Sequence, residues 1–106
     1  MYFITGEARH VHLGASVLLK CQSVYHNNVL WRYSKPHSDD SYIMYWNRII
    51  VKDTRRFEVH RSNSSPGIFD LSISNVQLSD AGMYRCSEIS IQYSAEILYK
   101  LSVIGQ

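Results

Sequence analysis

The sequence predicts an all-β domain built from short strands. Hydrophobic and polar residues alternate with a period of two along several segments, as expected for half-buried strands. Turn-forming residues separate those segments, and no stretch keeps the period of 3.6 that a helix needs. A third observation comes from Cys21, Trp31, Tyr84 and Cys86, since the tryptophan follows the first cysteine by ten residues and the tyrosine precedes the second by two.

The first half of the chain contains five predicted strands. Gly14 interrupts the first alternation, Asn27-Asn28 marks the next loop, the polar run 35–40 forms a turn, and Asn47-Arg48 joins a hairpin. The alternating segments between these turns are 11–13, 17–21, 29–34, 42–46 and 49–51.

The second half continues in the same way. A loop rich in serine and asparagine spans 62–67, and Val76 to Asp80 forms a corner between two strands. The predicted strands are 57–59, 69–73, 83–89 and 97–103.

With these four residues in register, the chain resembles a V-set immunoglobulin domain over nearly its whole length. The resemblance implies a β-sandwich of two antiparallel sheets joined by a Cys21–Cys86 disulfide, with Trp31 packed on the bridge. It also implies that the Tyr84 hydroxyl bonds to the backbone of the preceding corner. The extra hairpin over 42–51 is typical of the variable type rather than the shorter constant type.

The two cysteines also indicate a compartment. An even pair at this spacing is typical of a disulfide formed under oxidising conditions. The alternative, two buried free thiols in a cytosolic protein, leaves the positions of Trp31 and Tyr84 unexplained. Closing so long a loop stabilises a fold by about 4 kcal/mol in the chain-entropy model.

Length and composition indicate one globular domain over residues 1–106. Hydrophobic residues make up 45% of the chain, and the net charge is only +2, with lysines and arginines scattered, so nucleic-acid binding is not expected. The sequence contains neither a signal peptide nor a run of membrane-spanning length. We therefore expect a fragment of an extracellular protein, secreted or held at the cell surface by an anchor outside this sequence.

Residues suited to catalysis or metal binding do not form a recognised pattern. His10 and His12 would project from one face of a strand, but no cysteine or carboxylate cluster completes a metal site. No Gly-x-Ser-x-Gly turn or glycine-rich phosphate loop is present. The sequence thus predicts neither an enzyme nor a bound cofactor or metal.

One ion pair follows from the resemblance. V-set domains often pair an arginine at the start of the strand predicted here over 57–59 with the aspartate of the corner, and Arg56 and Asp80 match those positions. Arg55 is the competing partner. Such a pair would close one end of the sandwich.

The side chains expected to bind a partner lie on the exposed face of the larger sheet. Taking Trp31, Tyr84 and Cys86 as inward-facing fixes the phase of their strands. Over 42–46 the phase stays open, because residues 42, 44 and 46 form one set of large side chains and residues 43 and 45 the other. The predicted contact residues are Leu30, Arg32, Met44, Trp46, Arg85, Ile89 and Leu98.

Sequence differences from antigen-receptor V domains argue against some functions within the family. Antigen receptors open their last strand with Phe-Gly-x-Gly, whereas this chain has Glu96-Ile97-Leu98-Tyr99, so a rearranged receptor is disfavoured. The resemblance then implies a domain of a cell-surface immune receptor, co-receptor or adhesion molecule that binds a protein partner or itself. The alternatives are a soluble immune effector that binds antigen or carbohydrate through the loops 25–28 and 90–95, and a structural domain covered by a neighbour.

Asn63-Ser64-Ser65 is a glycosylation acceptor pattern.

Overall fold

Two sheets pack face to face in the computed structural model, which describes residues 2–23, 28–50, 53–89 and 94–105. The larger sheet has six strands in the order β1-β9-β8-β3-β4-β5, and the smaller has three in the order β2-β7-β6. The strands are β1 (Tyr2–His12), β2 (Val17–Leu19), β3 (Val29–Ser34), β4 (Tyr42–Trp46), β5 (Ile49–Ile50), β6 (Phe57–His60), β7 (Asp70–Ile73), β8 (Gly82–Ile89) and β9 (Ser94–Ile104). A short 3-10 helix spans Leu78–Asp80.

The first strand is much longer than the alternation over 11–13 indicated. β1 pairs with β9 in parallel along all its 11 residues, whereas the other strand pairs are antiparallel. Its described side chains before Val11 are mostly exposed, so the sequence there shows no alternation of buried and exposed residues. Backbone hydrogen bonds to β9 keep this segment in the sheet. The predicted turn at Gly14 is present, with a φ of 86° and an amide that donates to the Val76 carbonyl.

The core lies between the sheets around the disulfide. The predicted Cys21–Cys86 bridge forms, and Trp31 beside it is fully buried, with its Nε1 donating to the Phe69 carbonyl at 2.9 Å. The ring of Tyr99 stacks at 6.3 Å from that of Trp31. Hydrophobic burial on the inner faces of both sheets is the main stabilising contribution to such a sandwich.

One end of the sandwich is closed by the predicted ion pair. Arg56 donates from Nη1 and Nη2 to the two carboxylate oxygens of Asp80 at 2.7 and 3.0 Å, and Asp80 is only 1% exposed. Arg55, the competing candidate, is 92% exposed and lies near Asp53 instead. The Tyr84 hydroxyl donates to the Asp80 carbonyl at 2.6 Å, and burial raises the pKa of that hydroxyl well above its usual range. The corner inferred from the resemblance is confirmed.

Candidate protein-interaction face

The outer face is the side of the six-stranded sheet that points away from the smaller sheet. Its residues alternate with the buried Trp31, Tyr33, Tyr84 and Cys86, so strand register decides which side chains lie on it. Opposite residues in register give Leu30 beside Ser87, Arg32 beside Arg85, and Arg85 beside Leu98. Its other members include Ser34, Ile43, Trp46, Ile49, Met83, Glu96 and Lys100.

A bulge in β4 settles the phase that the sequence left open. The register with β3 runs from Trp31 opposite Tyr45 to Arg32 opposite Ile43, so β4 contains one extra residue, Met44, at this point. Ile43 therefore shares the outer face with Arg32, while Tyr45 lies in the core with Trp31. Neither alternating set stays on one face.

Met44 is not available to a partner. Its side chain is 0% exposed and belongs to the hydrophobic core, so the prediction that it lies on the outer face is wrong. The extra residue of the bulge breaks the period-two rule that placed Met44 and Trp46 on the same side. Trp46 is 50% exposed, as predicted for a contact residue.

An apolar depression forms around Trp46. Its volume is about 180 Å³, and it is open to solvent on the outer face. Ile49, opposite Trp46 in β5, is 62% exposed, so apolar surface continues to the sheet edge. The depression is lined by Asn28, Leu30, Ile43, Trp46 and Ser87.

A second, broader depression of about 950 Å³ lies further along the same face. It is a basic depression, because four lysine and arginine side chains line it against one aspartate, Asp39. It runs from the middle of β3 and β8 to the turn before β4. Its basic residues are Arg32, Lys35, Arg85 and Lys100, with His37 at the turn.

Glu96 is a member of the outer face that sequence reasoning missed. Its Oε2 lies 3.7 Å from Nε of Arg85, and its Oε1 accepts a hydrogen bond from the Ser87 hydroxyl at 3.3 Å. The parity that placed Leu98 outward places Glu96 outward too, so the signal was present. Ile43 had no such signal, since its position depends on the bulge.

The other predicted contact residues have different outcomes. Leu30, Arg32, Arg85 and Leu98 are partly exposed on the outer face, as expected. Ile89 ends β8, but its side chain lies outside the described residues. Two loops were considered for antigen contact, 25–28 and 90–95, and their residues 25–27 and 90–93 also lie outside the described part of the chain. Contact with a partner stays a prediction for every one of these residues.

Residues 61–66, between β6 and β7, are exposed and include Asn63. The acceptor asparagine is exposed, and the Ser62 and Ser64 hydroxyls on either side of it lie 2.9 Å apart. Glycosylation there stays a prediction.

Clusters suited to metal binding are absent from the described ranges. No group of three His, Cys, Asp or Glu side chains converges there. His10 and His12 are exposed on β1, opposite Ser102 and Ile104. Among the helices of this same part of the chain, none has the length and apolar character to cross a membrane.

Comparison with known proteins agrees with this geometry. The family model of the immunoglobulin V-set domain matches residues 4–103. No curated protein matches the chain. The fold is similar to that of the second Ig domain from mouse polymeric immunoglobulin receptor, with a TM-score of 0.74, 14% identity, and 94% of this chain and 97% of that one covered.

Two further solved structures share the fold. The first is Tim-1, with a TM-score of 0.72, 23% identity, and coverage of 96% of this chain and 95% of that one. The second is the RIG-5 IG1 homodimer, with a TM-score of 0.72, 19% identity, and coverage of 92% and 89%.

Proposed function

Because the chain belongs to the immunoglobulin V-set family, we propose that it is the protein-binding domain of a cell-surface immune receptor, co-receptor or adhesion molecule. Its partner would bind on the outer face of the six-stranded sheet. V-set domains are in general binding modules rather than enzymes, and we propose no catalytic activity for this one.

The observation that carries the proposal is the apolar surface around Trp46. Trp46, Ile43 and Ile49 are each about half exposed or more. Trp46 and Ile43 line one depression together with Leu30, and Ile49 lies opposite Trp46 on the neighbouring strand. Exposed apolar side chains scattered singly need no explanation, but a contiguous group beside arginines resembles a binding surface. Aromatic anchors in such pockets often carry most of the binding free energy.

The experiment uses the fluorescent tetramer of this domain to stain a panel of cells. We expect Trp46→Ala to abolish staining, because it removes the largest exposed apolar group of the face. Leu18→Ala is the matched control, since Leu18 is also partly exposed but lies on β2 of the smaller sheet. Staining that survives Trp46→Ala, or that Leu18→Ala removes equally, would contradict the proposal.

Self-association is a second candidate. It is supported by one neighbour in fold, RIG-5 IG1, which was solved as a homodimer. Sedimentation over a concentration series tests it: a dimer lost on Leu98→Ala or Arg32→Glu would indicate self-recognition through the outer face. A strict monomer would indicate another protein as the partner.

We also propose an extracellular location, with any membrane anchor outside these 106 residues. The disulfide supports this, since such bonds form and persist mainly in oxidising compartments. The acceptor at Asn63 allows a test in a secreting animal cell line. A mass increase removed by glycosidase and absent from Asn63→Gln would show that the site is used; a secreted protein of unmodified mass would show that it is not.

A further inference from the structure

We propose that the basic depression on the outer face binds an acidic segment of a partner protein. The inference deepens the proposed function, on which it rests, by stating the chemistry of the partner. It predicts that the partner presents carboxylates beside apolar side chains, and that the domain does not pair with itself through this face.

The first step is the charge left without a partner within the domain. Arg85 has Glu96 at 3.7 Å, and its Nε is buried with no hydrogen bond to any described residue. Among the described residues, no carboxylate lies within ion-pair distance of Arg32, Lys35 or Lys100. The depression therefore keeps a positive charge that an acidic group can neutralise.

The second step is the register of two arginines. Arg32 lies directly opposite Arg85 on neighbouring antiparallel strands, an arrangement in which like charges repel. A carboxylate placed over this pair would gain from both guanidinium groups and would relieve their repulsion. The sheet itself offers Glu96 to only one of them, at a distance longer than a hydrogen bond.

The third step excludes a second copy of the chain. In a two-fold dimer each surface meets itself, so residues near the axis meet their own copies. Arg32 and Arg85 occupy the middle of the outer face, between Ile43 on one side and Leu98 on the other. A two-fold contact centred there would bring four arginines together, which disfavours self-pairing.

The fourth step favours a protein over a sulfated glycan. Arg32 lies opposite Ile43, which lines the apolar depression. The two depressions are thus adjacent across β3 and β4. A protein segment supplies both carboxylates and apolar side chains, whereas a glycan would satisfy only the basic half.

The experiment titrates the labelled domain with a twelve-residue peptide, three repeats of Glu-Asp-Gly-Leu, and follows backbone amide shifts by NMR. The same peptide with lysine in place of every acidic residue is the control probe. We expect shifts at Arg32, Ser34, Met83 and Arg85, and we expect the lysine peptide to cause none. Raising the salt concentration should weaken the interaction, since exposed charges are screened.

Two double variants with the same change in net charge test whether the basic residues of the depression bind the peptide. We expect the double variant Arg32→Glu, Lys100→Glu to bind the acidic peptide about tenfold more weakly or worse. The control Arg55→Glu, Lys20→Glu makes the same change in net charge, but at exposed positions outside the outer face, and we expect less than a twofold change.

Several outcomes would overturn the inference. The first is no binding of the acidic peptide at 1 mM. The second is an equal loss of peptide affinity in both double variants. The third is that this face binds a heparin dodecasaccharide but not the peptide. A solution dimer that Arg32→Glu dissociates would also overturn it. If Trp46→Ala abolishes cell staining while Arg32→Glu, Lys100→Glu does not, the proposed function stands and this inference fails; if neither does, both fail.

Discussion

Two arginines show how differently this domain treats charge in its two regions. Arg56, at the corner, makes a bidentate pair with the buried Asp80 and also donates to the Asn75 carbonyl at 3.2 Å. Arg85, on the outer face, has one ion pair at 3.7 Å and lies opposite Arg32. The corner satisfies its polar groups internally, whereas the outer face leaves charge available. The difference indicates that folding depends on the first region, while the second keeps charge available for the partner we propose.

The largest expected effect tests the framework shared by both regions. Cys86→Ala removes the bridge that joins the two sheets, and we expect the free energy of unfolding to fall by about 4 kcal/mol. Chemical denaturation of the oxidised protein measures it. The double variant Cys21→Ala, Cys86→Ala should lose a similar amount; stability equal to that of the native chain in both would contradict the core assignment.

The next effect compares the two ion pairs directly. Asp80→Ala removes the bidentate partner of Arg56, which then keeps only Asp53 as an ion-pair partner, and it removes the acceptor for the Gln77 amide. We therefore expect a loss of about 3 kcal/mol. Glu96→Ala should cost about 0.5 kcal/mol, because its partner Arg85 is partly exposed to water. Thermal melts of both variants compare the stability lost at the corner with that lost on the outer face. Comparable losses of stability would contradict the proposed difference between the two regions.

The bulge gives a smaller effect. We expect Met44→Ala to cost about 2 kcal/mol, since it leaves a cavity in the core. Ile43→Ala, one residue away on the outer face, should change stability by about 0.5 kcal/mol or less. Denaturation curves in which Ile43→Ala is the more damaging variant would mean that the bulge is misplaced.

The smallest effect has the opposite sign. Arg32→Glu exchanges a like-charge neighbour of Arg85 for an opposite one, so we expect it to stabilise the fold by about 0.5 kcal/mol. The same substitution should weaken partner binding. Lys20→Glu, at an exposed position outside the outer face, is the control for a general charge effect. A destabilised Arg32→Glu would show that Arg32 has a structural role.

Much of this structure was predictable because buried aromatic residues fix strand phase. Trp31, Tyr84 and Cys86 placed β3 and β8 correctly. The inward-facing Leu101 and Val103 did the same for Leu98 on β9. The position of Met44 was not predictable, since both faces of β4 carry large apolar groups and a bulge depends on pairing with another strand. The extent of β1 was missed for a related reason: a strand held by backbone hydrogen bonds needs no hydrophobic alternation.

The parallel pairing of β1 with β9 also has a mechanical consequence. The ends of the described chain, Tyr2 and Gly105, lie at opposite ends of this strand pair, since Tyr2 is opposite Ser94 and His12 is opposite Ile104. A pulling force between these ends acts along the strands and loads the hydrogen bonds between them together, in shear. Such bonds must break at once instead of one after another, as they would in an unzipping hairpin. The β1–β9 pair is therefore suited to resist tension applied between these two ends.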